Sequence, residues 1–254
     1  MFKKTTIIIS IIILSVGGFY LYSNTKKNPK IEQKIVDTVN KIEDIKETIA
    51  PKPTKILSSG YPDKHLIKTI FVPQAPEKNW DQPWQDACEE AALLTVHYYY
   101  QQGSPGNQEI KADILKMIDF ENEQSFNHDI NLAQMELIAQ KHLGYQTKII
   151  DNPTVDDIKN YIAQDIPVII PASGKILYKE NKHFKSEGPY YHNLTVLGYD
   201  DNQKKFTVHD VGTQFGAYFK YSYSLLMESI HDFPISNNKL DINSGDKKIL
   251  ILLK

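Results

Sequence analysis

Helical and strand-like periodicities occupy separate parts of this chain, and that separation constrains the fold more than any other feature. Residues 86–102 read as a helix, with Asp86 as N-cap, Glu89 three residues on in a capping-box position and Gly103 placed to end it. Residues 107–119 follow, with Ile110, Ile114, Met117 and Ile118 on one face, and then residues 131–142, stopped by Gly144. Residues 145–150 suit a strand, Thr154 caps a further helix, and Val168-Ile169-Ile170 between prolines reads as a short buried strand. From His192 onward, alternation takes over. Residues 192–199 and 206–211 flank turn chemistry at 201–204, Ser222 or Ser224 caps a helix to about Ile230, and residues 248–253 form a last strand. The fold class expected is α+β, with N-terminal helices packed on a C-terminal antiparallel sheet.

The first 66 residues differ in character. Residues 5–22 carry no charge, follow Lys3-Lys4, and as a helix would measure about 27 Å, close to the thickness of a bilayer core. Residues 1–23 are therefore expected to be a signal anchor, or a cleaved signal peptide with a small-x-small site at Ser15-Val16-Gly17. Residues 24–66, lysine-rich and then proline-punctuated, read as a tether, which leaves 67–254 as the globular domain. The expected location is the cell membrane with the domain outside the cytoplasm, or secretion if the segment is removed. With Lys+Arg at 29 and Asp+Glu at 31, the net charge of -2 supplies no field for nucleic acid, so no nucleic-acid partner is expected. One cysteine makes no intrachain disulfide, and no His/Cys spacing suggests zinc, so no metal or cofactor is expected.

That single cysteine, Cys88, stands at the start of the first predicted helix. A thiol there faces free backbone N–H groups and the positive end of the helix dipole, both of which favour thiolate. The competing reading is a small buried residue on a core helix. A nucleophile needs a base and a group that orients it. Of eight histidines, His192 alone opens an apolar strand, after Gly188-Pro189-Tyr190-Tyr191. Asp210 lies on the returning strand, and a turn near 202–203 sets the two roughly opposite, within about 5 Å across the ladder.

Cys88 behind a glutamine-bearing loop, the strand His192-Asn193-Leu194-Thr195-Val196-Leu197-Gly198-Tyr199-Asp200 and the return Val208-His209-Asp210-Val211-Gly212 resemble the bacteriocin-leader-processing (double-glycine) cysteine peptidases, in their stand-alone, transporter-free form. The resemblance spans about residues 71–216. It implies a papain-like fold, a polypeptide substrate, Cys88 as nucleophile, His192 as base and then acid, and Asp210 as orienting residue. It also implies an oxyanion-hole glutamine six residues before the cysteine, Gln82, with Gln85 the competing choice. Two positions depart from the family pattern. Glu89 and Glu90 follow the cysteine where glycine is usual, and like charge there raises a thiol pKa; Val211 stands where proline is usual. The same three residues would serve an acyltransferase or amidase. The alternative of another class is a surface binding module using Trp80, Trp84 and residues 98–100, for which ordinary packing is the plainer reading. The polar loop 173–191 is placed to line or cover the cleft.

Overall fold

Strands that are apolar at consecutive positions must be buried on both faces, and two runs here meet that condition. In the computed structural model, which describes residues 60 and 62–254, Val168–Ala172 and Lys248–Leu253 lie mid-sheet with their apolar side chains covered, Leu253 only in part. Ile169, Leu250 and Leu252 point to one face and Val168, Ile170, Ile249 and Ile251 to the other, as the two-residue period of a strand requires. The elements in chain order are β1 (Lys64–Leu66), a 3₁₀ turn (Trp84–Asp86), α1 (Cys88–Gln101), α2 (Asn107–Glu123), α3 (Leu132–Lys141), β2 (Gln146–Asp151), α4 (Val155–Ile162) and β3 (Val168–Ala172). After these come α5 (Gly174–Leu177), β4 (His192–Asp200), β5 (Lys205–His209), β6 (Phe219–Ser222), α6 (Tyr223–Ser229), a 3₁₀ turn (Lys239–Ser244) and β7 (Lys248–Leu253).

The seven strands form one antiparallel sheet, six of them in the order β2-β7-β3-β4-β5-β6. β1 pairs with residues 198–200 of β4, continuing the edge that β3 occupies along residues 192–196. Helices α1–α3 cover one face, where Leu93, Val96, Ile114, Met117, Met135 and Ile138 are buried. Helices α4 and α6 cover the other, with Ile158, Ile162 and Leu226 against Leu194, Val196, Phe206 and Val208. The architecture is the α+β layout expected, with the cysteine-bearing helix laid against an antiparallel sheet in papain-like fashion.

Helix α1 is buried almost all round, as befits an element enclosed between α2, α3 and the sheet. Ala91 and Ala92, both fully buried, let it approach β4 closely, and Thr195 Oγ1 donates to the Ala92 carbonyl at 3.3 Å. Its termini differ from expectation. The N-cap is Ala87, with no side-chain cap, because Asp86 belongs to the preceding 3₁₀ turn and accepts from Gln82 instead. Glu89 does not close a capping box; its carboxyl is engaged elsewhere. Gln102, not Gly103, takes the left-handed position, at φ 54°. The second helix begins one residue after its N-cap Gly106 and runs four residues past the expected end. By contrast, Thr154 caps its helix as expected, and Asn131 and Thr154 each close a full capping box, with Gln134 and Asp157.

Three short elements lie where no period is long enough to announce them: β1, α5 and β6. Residues 68–73, which the sequence suits to a short strand or an extended entry, carry no regular element, and the first strand lies earlier, at Lys64–Leu66, inside the stretch read as tether. The expected membrane segment, residues 1–23, and the tether up to residue 59 lie outside the described residues. Among the described residues, no helix is long and apolar enough to cross a membrane.

Gly198 sits where β1 crosses β4 and where the β4–β5 register shifts; a Cβ there would meet the His65 carbonyl oxygen at 2.6 Å. Gly198→Ala is expected to lift β1 from the sheet, lowering stability by about 1–3 kcal/mol. Denaturant unfolding measures the loss, and faster proteolysis near residues 64–66 locates it.

Candidate active site

Two half-sites are built by different parts of the fold. The first grows from β4 and β5. Thr195 pairs with His209, so continuing the ladder sets Asp210 opposite Leu194, two residues from His192. The expected contact is therefore diagonal rather than direct. The side chains close the gap: His192 Nε2 lies 2.8 Å from Asp210 Oδ1, with both residues buried. Oδ2 of Asp210 accepts from the Tyr221 hydroxyl at 2.5 Å and from Asn181 Nδ2 at 2.9 Å. The backbone N–H of Gly212 donates to Oδ1 at 3.3 Å. Burial alone would raise this carboxyl, but the charge of His192 and the hydrogen bonds of His192, Tyr221 and Asn181 outweigh it, and Asp210 is held below the usual carboxylate range.

The imidazole is walled in. Phe184 meets its face edge-on, with centroids 5.4 Å apart, and a Cβ at Gly212 would come within 2.6 Å of His192 Cε1. Glycine at 212 is thus a matter of space. At Gly216 a Cβ would overlap the Asp210 carbonyl, whose own N–H donates to the Gly216 carbonyl. With Nε2–H donated to Asp210, the other ring nitrogen is the one available as acceptor.

The second half-site is the start of α1. Cys88 is 5 % exposed, and its Sγ donates to Glu89 Oε2 at 2.9 Å; Asn193 Nδ2 is 3.9 Å from the sulfur. Burial pushes the thiol pKa up, and the charges of Glu89, Asp129 and Glu90 push it the same way. The thiolate expected from a helix N-terminus is therefore not the form this environment favours. A dipole worth up to about 2 kcal/mol is outweighed by desolvation and several carboxyls.

The two halves open on one cavity of about 410 Å³, bordered by both Cys88 and His192. Residues 183–191 of the polar loop form one wall, as its position before His192 suggested, and Trp80 and Phe215 lie at the rim. Of the two glutamines, Gln85 borders the cavity. Gln82 does not: it is exposed, and its amide donates to Asp86 Oδ2 at 2.6 Å. Trp84 is buried, and the hydroxyls of Tyr98, Tyr99 and Tyr100 are spent on Asp113, the Asp165 carbonyl and the Leu252 carbonyl. These contacts fit ordinary packing for Trp84 and the tyrosine hydroxyls, while Trp80 borders the cavity.

Several functional neighbours escaped the sequence. Gln74 is buried beneath the loop before α1 and donates to the Trp84 and Gln85 carbonyls, each at 3.0 Å, bracing the approach to Cys88. Asn181 and Tyr221 belong to segments with no strong period, and only the finished fold brings them to Asp210. His183, in a polar stretch with no functional signal of its own, borders the cavity and lies 4.6 Å from Phe215, centroid to centroid.

A helix-borne cysteine and a sheet-borne histidine, the latter paired with Asp210, border one cavity. The chain belongs to the C39-like peptidase family, whose model matches residues 69–233. No curated protein matches it. Among solved structures it is similar to a Bacillus anthracis protein assigned as a C39-like peptidase, with 14 % identity, 76 % of this chain and 98 % of that one covered, and a TM-score of 0.48. It is also similar to xylellain, a cysteine protease from Xylella fastidiosa, with 12 % identity, coverage of 80 % and 89 %, and a TM-score of 0.47. At these values neither structure bears on the site, which rests on the chain's own geometry.

Behind Cys88 lies a buried carboxyl pair. Glu90 and Glu121 are 3 % and 5 % exposed; burial, then their mutual repulsion, raises Glu90, and burial with the charge of Glu89 raises Glu121. The folded state therefore keeps a proton that the unfolded chain loses above about pH 4.3. A carboxyl raised on folding contributes most at low pH, and that contribution falls as pH climbs through the raised value. Melting temperature is expected to drop between about pH 5 and 8, and Glu121→Gln is expected to flatten that slope. Thermal melts across the range check it.

Proposed function

We propose that the domain is a thiol peptidase that hydrolyses polypeptide through Cys88, His192 and Asp210, and that residues 1–23 hold it at the outer face of the cell membrane. The observation that carries the reading is the buried His192–Asp210 pair at 2.8 Å, fully partnered on its far side and opening on the cavity that Cys88 borders. A surface histidine has no need of such a carboxylate. A base that must accept and return a proton in one orientation does.

In this mechanism the free ring nitrogen of His192 takes the Cys88 proton, and Sγ attacks the scissile carbonyl carbon. Asp210 stabilises the imidazolium and holds the ring in one orientation. The oxyanion meets the Cys88 backbone N–H at the open end of α1 and the amide of Gln85, which takes the place first assigned to Gln82. His192 returns its proton to the leaving amine, the C–N bond breaks and a thioester remains. Water, activated by the same imidazole, then cleaves the thioester and restores the thiol.

With unfolded casein as substrate, Cys88→Ala is expected to abolish turnover, and His192→Ala to lower it by about 10³-fold or more. Asp210→Asn should lower it by about 10²–10⁴-fold while Cys88 can still be alkylated. Trapping with hydroxylamine reads the thioester directly. Turnover that survives Cys88→Ala would end the proposal.

A further inference from the structure

Both oxygens of the Glu89 carboxyl are already committed. The side chain is fully buried; Oε1 accepts the backbone N–H of Ile130 at 3.1 Å, and Oε2 accepts the Cys88 thiol at 2.9 Å. The Ile130 amide can only donate, so Oε1 has to accept, and the rotamer is pinned with Oε2 against the sulfur. A close acceptor favours S–H over S⁻, while the one donor nearby, Asn193 Nδ2 at 3.9 Å, lies at the limit of useful contact.

We propose that Glu89 is a positioning residue that holds Cys88 as a hydrogen-bonded neutral thiol, so that the nucleophile is latent until it turns from Glu89 to His192. This rests on Cys88 being the nucleophile of the proposed peptidase. On activation the S–H bond breaks and an N–H bond forms at the free ring nitrogen of His192. Burial and the charges of Glu90 and Asp129 raise the Glu89 carboxyl itself, and the hydrogen bonds it accepts from Cys88 and Ile130 act in the opposite sense. No other reactant is needed. The surrounding charges do not reverse the effect. Asp86 and Glu90 flank the cysteine along the chain, Glu121 of α2 acts on Glu90 and Glu89, and Asp129 lies before α3, offset by Lys239 at 4.0 Å and by His128. Tyr191 and His192 stand at the start of β4, and Asp232 follows α6. Burial and the Glu89, Asp129 and Glu90 carboxyls all act against the thiolate.

The test is the pH dependence of iodoacetamide alkylation in the full-length chain, where Cys88 is the only thiol. Glu89→Gln keeps an oxygen for the Ile130 amide and turns an N–H donor toward the sulfur. The midpoint is expected to fall by about one unit or more, with a roughly ten-fold faster reaction at pH 7. An unchanged midpoint in a folded variant would reduce Glu89 to an anchor for Ile130 and overturn the proposal. So would a slower reaction, which would make Glu89 the base. Should the variant not fold, the infrared S–H stretch of the wild-type chain decides. A hydrogen-bonded band persisting above the free-thiol pKa of about 8.5 supports the proposal, and a band at the free-thiol position overturns it. Failure of the peptidase reading has a separate signature, alkylation indifferent to His192→Ala and no turnover by any form, and the Glu89 shift is read without turnover.

Discussion

A carboxylate with no access to water costs several kcal/mol unless every lone pair is met, and Asp210 is such a group. Its four donors come from four places in the chain: His192 from β4, Tyr221 from β6, Asn181 from the loop after α5, and the Gly212 backbone from its own turn. Satisfying one charge therefore fixes the start of a strand, the neighbouring edge strand, the root of the cavity wall and the turn beneath the imidazole. Removing a donor leaves a charge that burial penalises, a loss on the scale of about 3–5 kcal/mol for the His192 pair and about 1.5–3 kcal/mol for a neutral donor. The histidine's orientation is thus a property of the fold and not of one contact.

The same constraint explains which glycines the site needs. Gly212 leaves room for the His192 ring, and Gly216 lets the loop fold back so that its carbonyl takes the Asp210 N–H. Both stand in the turn after β5, where a side chain would have pushed the carboxylate or the imidazole out of register. Gly188, at φ 83°, does related work in the cavity wall, where it packs against the Gly174 carbonyl. The wall, the turn and the triad candidates share one set of close approaches.

What could be read in advance follows from how far each signal reaches along the chain. Capping boxes at Asn131 and Thr154, the apolar run of β7 and the β4–β5 hairpin are local, and they stand where the residues placed them. Cys88, His192 and Asp210 were legible because a lone thiol at a helix start and a strand-opening histidine are short patterns. Asn181, Tyr221 and Gln74 were not, since nothing near them in sequence names a partner 29, 11 or 10 residues away. The start of α1 misled for a similar reason. Asp86 has the chemistry of a cap, but the 3₁₀ turn ahead of it and the Gln82 amide claim it first.

The two halves of the site stand in opposite electrostatic states. Around Asp210 every close group is a donor, and the carboxyl is held ionised despite full burial. Around Cys88 the close groups are carboxyls, and the sulfur is held protonated at the very helix terminus that would otherwise ionise it. In the proposed peptidase, a base already oriented by Asp210 and a thiol kept neutral on the same cavity separate two tasks that many thiol enzymes merge: the machinery for proton transfer is assembled in the resting fold, and the reactive anion is not. For a domain with a single, buried cysteine, that division keeps the nucleophile from adventitious oxidation and alkylation, because both proceed through the thiolate. On that proposal the cost falls on the chemical step, where the thiol must leave Glu89 before His192 can take its proton.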